Sequence, residues 1–198
     1  MSDRPERTVP DPVELLRRLI RFDTTNPPGD EAAAVAHVRD VLTAAGVESR
    51  LLEAVPGRPN LVARVPGRGI APPLLLQAHV DVVPADPAGW QHPPFEGRLV
   101  DGFVHGRGAL DMKSGLAMMV TALVRAVTSG APPPGDVVLA VLADEEGGGD
   151  NGAVFLVEKH PELFDGVRYA LGEFGGFTME LAGRRFATWE EMVAAFAA

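Results

Sequence analysis

Three segments of this chain run apolar for several residues and then end abruptly in metal-ligand chemistry. They are Leu74-Leu75-Leu76-Gln77-Ala78-His79-Val80-Asp81, Val137 to Ala143 followed by Asp144-Glu145-Glu146, and Tyr169-Ala170-Leu171-Gly172-Glu173. Short apolar runs without alternation read as buried parallel strands rather than as half-exposed ones. In open α/β sheets, ligands bind where the carboxyl ends of such strands emerge. A fourth acid, Asp111, lies in the glycine-rich turn Gly106-Arg107-Gly108-Ala109-Leu110-Asp111-Met112-Lys113, which opens an apolar helix. One imidazole and several carboxylates gathered on one sheet edge would make a site for a divalent metal.

The rest of the chain is consistent with that frame. Asp11-Pro12-Val13-Glu14 combines an N-cap, a proline at the first helical position and an acid three residues after the cap, so a helix is expected over 12–22. A loop at Asn26-Pro27-Pro28-Gly29 precedes a second helix over about 30–45, which Gly46 ends. Strands are expected at 47–53, 60–65 and 74–79, and Asp101-Gly102 marks a hairpin between Leu99-Val100 and Phe103-Val104. A buried helix over 113–129, a strand from 136, a helix over about 151–160 and a strand at 168–172 complete the order. Strand–helix–strand crossovers of this length imply a parallel or mixed sheet.

Composition excludes several functions. The 198 residues carry a net charge of −9 without a Lys/Arg cluster, which argues against nucleic acid or an anionic membrane as partner. No apolar run approaches the ~18 residues that span a bilayer, and the polar N-terminus lacks a signal-peptide core, so a cytoplasmic location is expected. There is no cysteine, so any metal must be held by His, Asp and Glu.

Each candidate has a plainer reading. His79 and Asp81 stand two apart on a strand end and face the same side, so Asp81 is placed to orient the ring of a ligating His79. A lone strand histidine is more often a satisfied core residue. Asp111 could equally cap the helix that follows, and Lys113 on its own reads as a solvated charge. Adjacent acids such as Glu145 and Glu146 normally decorate a surface. Two carboxylates ~4 Å apart repel by ~1 kcal/mol in water and ~4 kcal/mol at an effective dielectric of 20, so leaving a buried strand together they call for a cation or for divided roles. Glu173 alone reads as a surface acid. The metal reading rests on the conjunction of all of these.

Taken together, the motifs His79-Val80-Asp81-Val82-Val83-Pro84, Trp90 through Pro94-Phe95, Gly106 through Lys113 and Asp144-Glu145-Glu146-Gly147 resemble the zinc metallopeptidases. That family includes acetylornithine deacetylase, succinyl-diaminopimelate desuccinylase, aminoacylase and glutamate carboxypeptidase. The resemblance covers about residues 10–180, with Ser114 as a minor departure where a small glycine is common. It implies an α/β fold of zinc-dependent exopeptidase type: a mixed, largely parallel twisted sheet with helices on both faces, here incomplete. It implies two Zn2+ ions per complete enzyme, with Co2+ or Mn2+ as substitutes. His79 and Glu173 would bind one, Glu146 the other, and Asp111 would bridge them. Asp81 would orient His79, and Glu145 would be the general base. The reaction implied is hydrolysis of an amide bond in an N-acyl amino acid or small peptide, by a protein that in many members dimerises through a smaller lid domain.

The resemblance also marks what is missing. The family's second zinc takes a histidine from far later in the chain, whereas the last histidine here is His160. Residues 10–186 are therefore expected to be the N-terminal part of a catalytic domain. Residues 187–198, with a capping box at Thr188 and Glu191, are expected to be an atypical tail in place of the lid. The alternative to an enzyme is an inactive truncated fragment that folds in part and binds at most one metal ion.

Overall fold

The computed structural model describes residues 8–173 in full, and the backbone of 179–181 and 184–186. The tail expected at 187–198, with its capping box, lies outside the described residues.

Helix α1 (Pro12–Ile20) begins where Asp11 Oδ1 accepts the backbone N–H groups of Val13 and Glu14 at 2.7 and 3.1 Å, and it buries Leu15, Leu19 and Ile20. Helix α2 (Ala32–Ala44) buries Ala34, Val35, Val38 and Leu42. Gly46 follows it at φ 79°, a left-handed position that favours glycine. Strands β1 (Arg50–Glu53), β2 (Pro59–Val65) and β3 (Leu74–His79) come next. The hairpin of β4 (Arg98–Val100) and β5 (Phe103–His105) turns on Asp101 and Gly102, both at positive φ, as a two-residue primed turn requires. Helix α3 (Lys113–Thr128), β6 (Val137–Leu142), α4 (Phe155–Lys159) and β7 (Tyr169–Leu171) complete the strands and α-helices up to residue 173, and β8 (Met179–Leu181) pairs antiparallel with β9 (Arg184–Phe186).

The main sheet has the order β1-β2-β6-β3-β7. Its β1–β2 and β2–β6 pairings are antiparallel, whereas β3 lies parallel to both β6 and β7. The sheet is thus mixed, and its parallel half contains all three apolar runs singled out above. Alternate residues of β6 explain why its run is unbroken. Leu139 and Val141 face a core built with α1, α2 and α3, while Val138, Ala140 and Leu142 face a second core with Leu156 of α4. Helices therefore cover both faces, and each fully buried aliphatic side chain stabilises the fold by about 1.5–3 kcal/mol.

Where a single helix is expected at 151–160, a wide π-type turn over Asp150–Val154 leads into α4. The cause is Gly152, at φ −108° and ψ −107°, outside helical values. A Cβ there would lie 2.0 Å from the Ala143 carbonyl oxygen, so the segment can pass β6 this closely only as glycine.

Register places the site. His79 is level with Leu142 and Leu76 is level with Leu171, so β3, β6 and β7 run out at one edge of the sheet. His79, the Asp144-Glu145-Glu146 segment and Glu173 all emerge there.

Candidate metal centre

His79, at the last position of β3, is wholly buried. Its Nδ1 lies 3.0 Å from the backbone carbonyl of Asp81 and 3.4 Å from the Asp81 carboxylate Oδ1. A carbonyl can only accept, so Nδ1 carries the proton and Nε2 faces the acids. The ring is thus oriented by the Asp81 main-chain carbonyl, with the carboxylate of the same residue beside it. The Asp81 carboxylate has further partners. Its Oδ1 accepts from the backbone N–H of Glu145 and its Oδ2 from that of Glu146, both at 3.1 Å.

His79 Nε2 is the meeting point. Asp111 Oδ1 lies 2.9 Å from it, Glu173 Oε2 3.7 Å and Glu145 Oε2 3.8 Å. Among the described residues two ligand groups result, His79 with Glu145 and Glu173, and His79 with Asp111 and Glu146; in each, the donor atoms lie within 4.8 Å of one another. The turn brings Asp111 in without making it a cap: the residue before α3 is Met112, and no side chain caps the helix. Gly108 stands at φ +81° in that turn, with Val82 and Lys113 packed where a Cβ would be.

Electrostatics show the strain of so many acids. Burial pushes the Glu173 carboxyl up to about 7, and Asp111 beside it adds to the rise. Glu146 is raised by the same two causes in the same order. For His79, burial works against the imidazolium, but Asp81, Glu145 and Asp111 together outweigh it and hold the pKa at about 9. One imidazole and four carboxylates in so small a space form an oxygen-rich, single-nitrogen donor set, and a divalent cation would neutralise the excess negative charge. The residues fit such an ion.

Lys113 is a correction to the sequence reading. It is wholly buried, not solvated, and its Nζ donates to the carbonyls of Leu19 at 3.1 Å and Phe22 at 2.8 Å. Burial draws its pKa down to about 8, against the opposing pull of Asp23 and Asp81. The lysine ties the C-terminal end of α1 to the turn that carries Asp111.

A polar network behind the acids also escaped the sequence reading. Arg58 holds buried Glu31 through two nitrogens, at 2.5 and 3.0 Å, and Asp144 through a third at 3.0 Å. Asp144 stands at φ 65°, and its Oδ2 accepts from the backbone and side-chain N–H groups of Asn151. Asn26 bridges Asp144 and Asp81. Only the acid of Asp144 following an apolar run hinted at this. His105 packs edge-on against His92 and His160 against Phe155, and neither enters a ligand group among the described residues.

Comparison with known proteins agrees with this architecture. The chain is 45% identical over 151 residues to succinyl-diaminopimelate desuccinylase of Paracoccus denitrificans (strain Pd 1222), an alignment covering 76% of this chain and 38% of that one. The chain therefore spans well under half the length of the curated relatives it matches. Among solved structures, human carnosine dipeptidase 1 superposes with a TM-score of 0.71 at 22% identity, over 81% of this chain and 37% of that one. The M20 family metallo-carboxypeptidase Sso-CP2 of Sulfolobus solfataricus gives 0.70 at 21% identity, over 88% and 39%. At these identities the likeness establishes the fold. No helix among the described residues is long and apolar enough to cross a membrane. Residues 75–184, more than half the chain, match the sequence profile of peptidase family M20/M25/M40, and the chain belongs to that family.

Proposed function

We propose that residues 10–186 form the metal-binding, N-terminal part of the catalytic domain of a hydrolase that cleaves an amide bond in an N-acyl amino acid or small peptide. The observation that carries this reading is the meeting of Asp111, Glu145 and Glu173 within 4 Å of one buried imidazole nitrogen. The desuccinylase and peptidase relatives support the reaction class. In this reading His79 and Glu173 would hold one Zn2+ and Glu146 a second, with Asp111 contributing to both, and Co2+ or Mn2+ would serve as substitutes. A bound dication supplies Lewis acidity toward the amide carbonyl and the attacking water. Glu145, the most exposed acid of the Glu145–Glu146 pair, takes the proton from that water and returns it to the leaving amine. Asp81 contributes by holding the backbone of both glutamates in place.

One observation favours a second reading for the chain as it stands, that of an inactive fragment binding at most one ion. Both ligand groups draw on the same His79, and neither has an imidazole of its own. Zn2+ titration combined with assays on a panel of N-acyl amino acids and dipeptides separates the two. Zn2+-dependent hydrolysis that disappears in Glu145→Gln supports the hydrolase, uptake of at most one ion without turnover supports the fragment, and uptake of two ions without turnover overturns both.

A further inference from the structure

Asn26 lies in the loop between α1 and α2, yet its side chain is buried beneath the acids of the site. Its Nδ2 donates to Asp81 Oδ2 at 2.8 Å and to Asp144 Oδ1 at 3.1 Å. The amide is held firmly at that spot. The Asn26 backbone N–H donates to the Val82 carbonyl at 2.9 Å, and Thr25 forms a parallel bridge with Val82. On the far side, Asp144 is gripped by Arg58 and Asn151. The Glu145–Glu146 loop packs straight onto this bridge, since a Cβ at Gly147 would fall 2.4 Å from Asp144 Oδ1 and 2.8 Å from Asn26 Nδ2.

The consequence runs through Asp81. Its two oxygens receive the backbone N–H groups of Glu145 and Glu146, one each, so two consecutive peptides hang from a single carboxylate. Rotation of that carboxylate plane would release at least one of them. Such rotation is opposed by a fixed donor on Oδ2, and Asn26 is that donor. We infer that Asn26 is a positioning residue, which locks the plane of the Asp81 carboxylate and so directs Glu145 toward His79 and Glu173, and Glu146 toward His79 and Asp111. The geometric part stands by itself, and its effect on metal rests on the hydrolase reading above.

Amide hydrogen exchange on the metal-free chain tests the geometry, because amide protection reports local opening. In Asn26→Ala, and in Asn26→Leu, which keeps the volume should the smaller variant lose the fold, the Glu145 and Glu146 amides should lose protection while those of β6 keep theirs. Asp81→Ala should do the same, and adding Asn26→Ala to it should change those two amides no further, since the two residues act in series. Unchanged exchange, or loss spread evenly over β6 as a general destabilisation would give, overturns the inference. Co2+ then reads the consequence: the Asn26 variants should bind it ~10–100-fold more weakly, with altered visible absorption bands. Normal Co2+ affinity and spectrum in a folded variant would overturn the positioning role. A parent chain that binds no Co2+ would instead overturn the metal reading, with the exchange data still deciding the role of Asn26.

Discussion

His79 Nε2 and Asp111 Oδ1 lie 2.9 Å apart although 32 residues separate them in sequence, and the two come from the end of β3 and the turn before α3. With Nδ1 already committed to the Asp81 carbonyl, Nε2 is the one nitrogen that can serve a cation. It takes part in both ligand groups, and its one free lone pair serves a single ion.

Replacing His79 by Ala is therefore predicted to remove the ion that His79 and Glu173 would hold, lowering metal uptake by one ion per chain. Elemental analysis after dialysis against Zn2+ measures this. A variant that takes up as much metal as the parent would show that the acids suffice and that the imidazole is a core residue.

Glu145 and Glu173 sit at similar distances from His79 Nε2, at 3.8 and 3.7 Å, but their proposed roles differ. Glu145→Gln should leave Co2+ affinity nearly unchanged and remove hydrolysis, the loss of a general base costing about 10²–10⁴-fold in rate. Glu173→Gln should weaken the metal itself. If Glu145→Gln releases the ion, Glu145 is a ligand and the assignment of the base is wrong.

Arg58 neutralises two buried acids. Removing one partner of a buried ion pair leaves charge without compensation, so Arg58→Ala is predicted to destabilise the chain by about 3–5 kcal/mol. Urea unfolding of Arg58→Ala beside Glu31→Gln measures it. A loss below 1 kcal/mol would mean that water or another cation takes over the role.

His37 of α2 packs beside Phe22, and its pKa is lowered from 6.5, first by burial and then by Arg18, against the pull of Asp40. Well above pH 6.5 the ring is neutral in both folded and unfolded chains and contributes no slope. As pH falls through 6.5, the unfolded chain takes up the proton before the native one does, so stability must decline with acidification. His37→Gln should flatten this part of the stability curve, measured by denaturant midpoints between pH 5 and 7 on the principle that ordinary His titrates near 6.5. An unchanged slope would assign the decline to other groups.

The sequence by itself determined the elements and the chemistry at their ends. An unbroken apolar run as short as Val137 to Ala143 reads as a strand covered on both faces, and the structure places Leu139 in one core and Val138 in the other. Asp101-Gly102 specified its turn because few residues accept two successive positive φ values. His79, Asp111, Glu145, Glu146 and Glu173 were legible as candidates because local patterning marks strand ends, and the parallel register of β3 with β6 and β7 carries those ends to one edge.

Tertiary structure alone decided how the acids are supported. Asn26 reaches Asp144 across 118 residues, Arg58 reaches it across 86, and the Lys113 ammonium finds the Leu19 carbonyl across 94. Such bonds leave no periodicity in the chain, since a polar residue headed for a buried network looks locally like any loop or surface residue. Only when distant segments pack does burial strip away water and turn Lys113, Arg58 and Asn26 into obligatory donors, because an unpaired polar group inside a protein costs more than the bond that satisfies it.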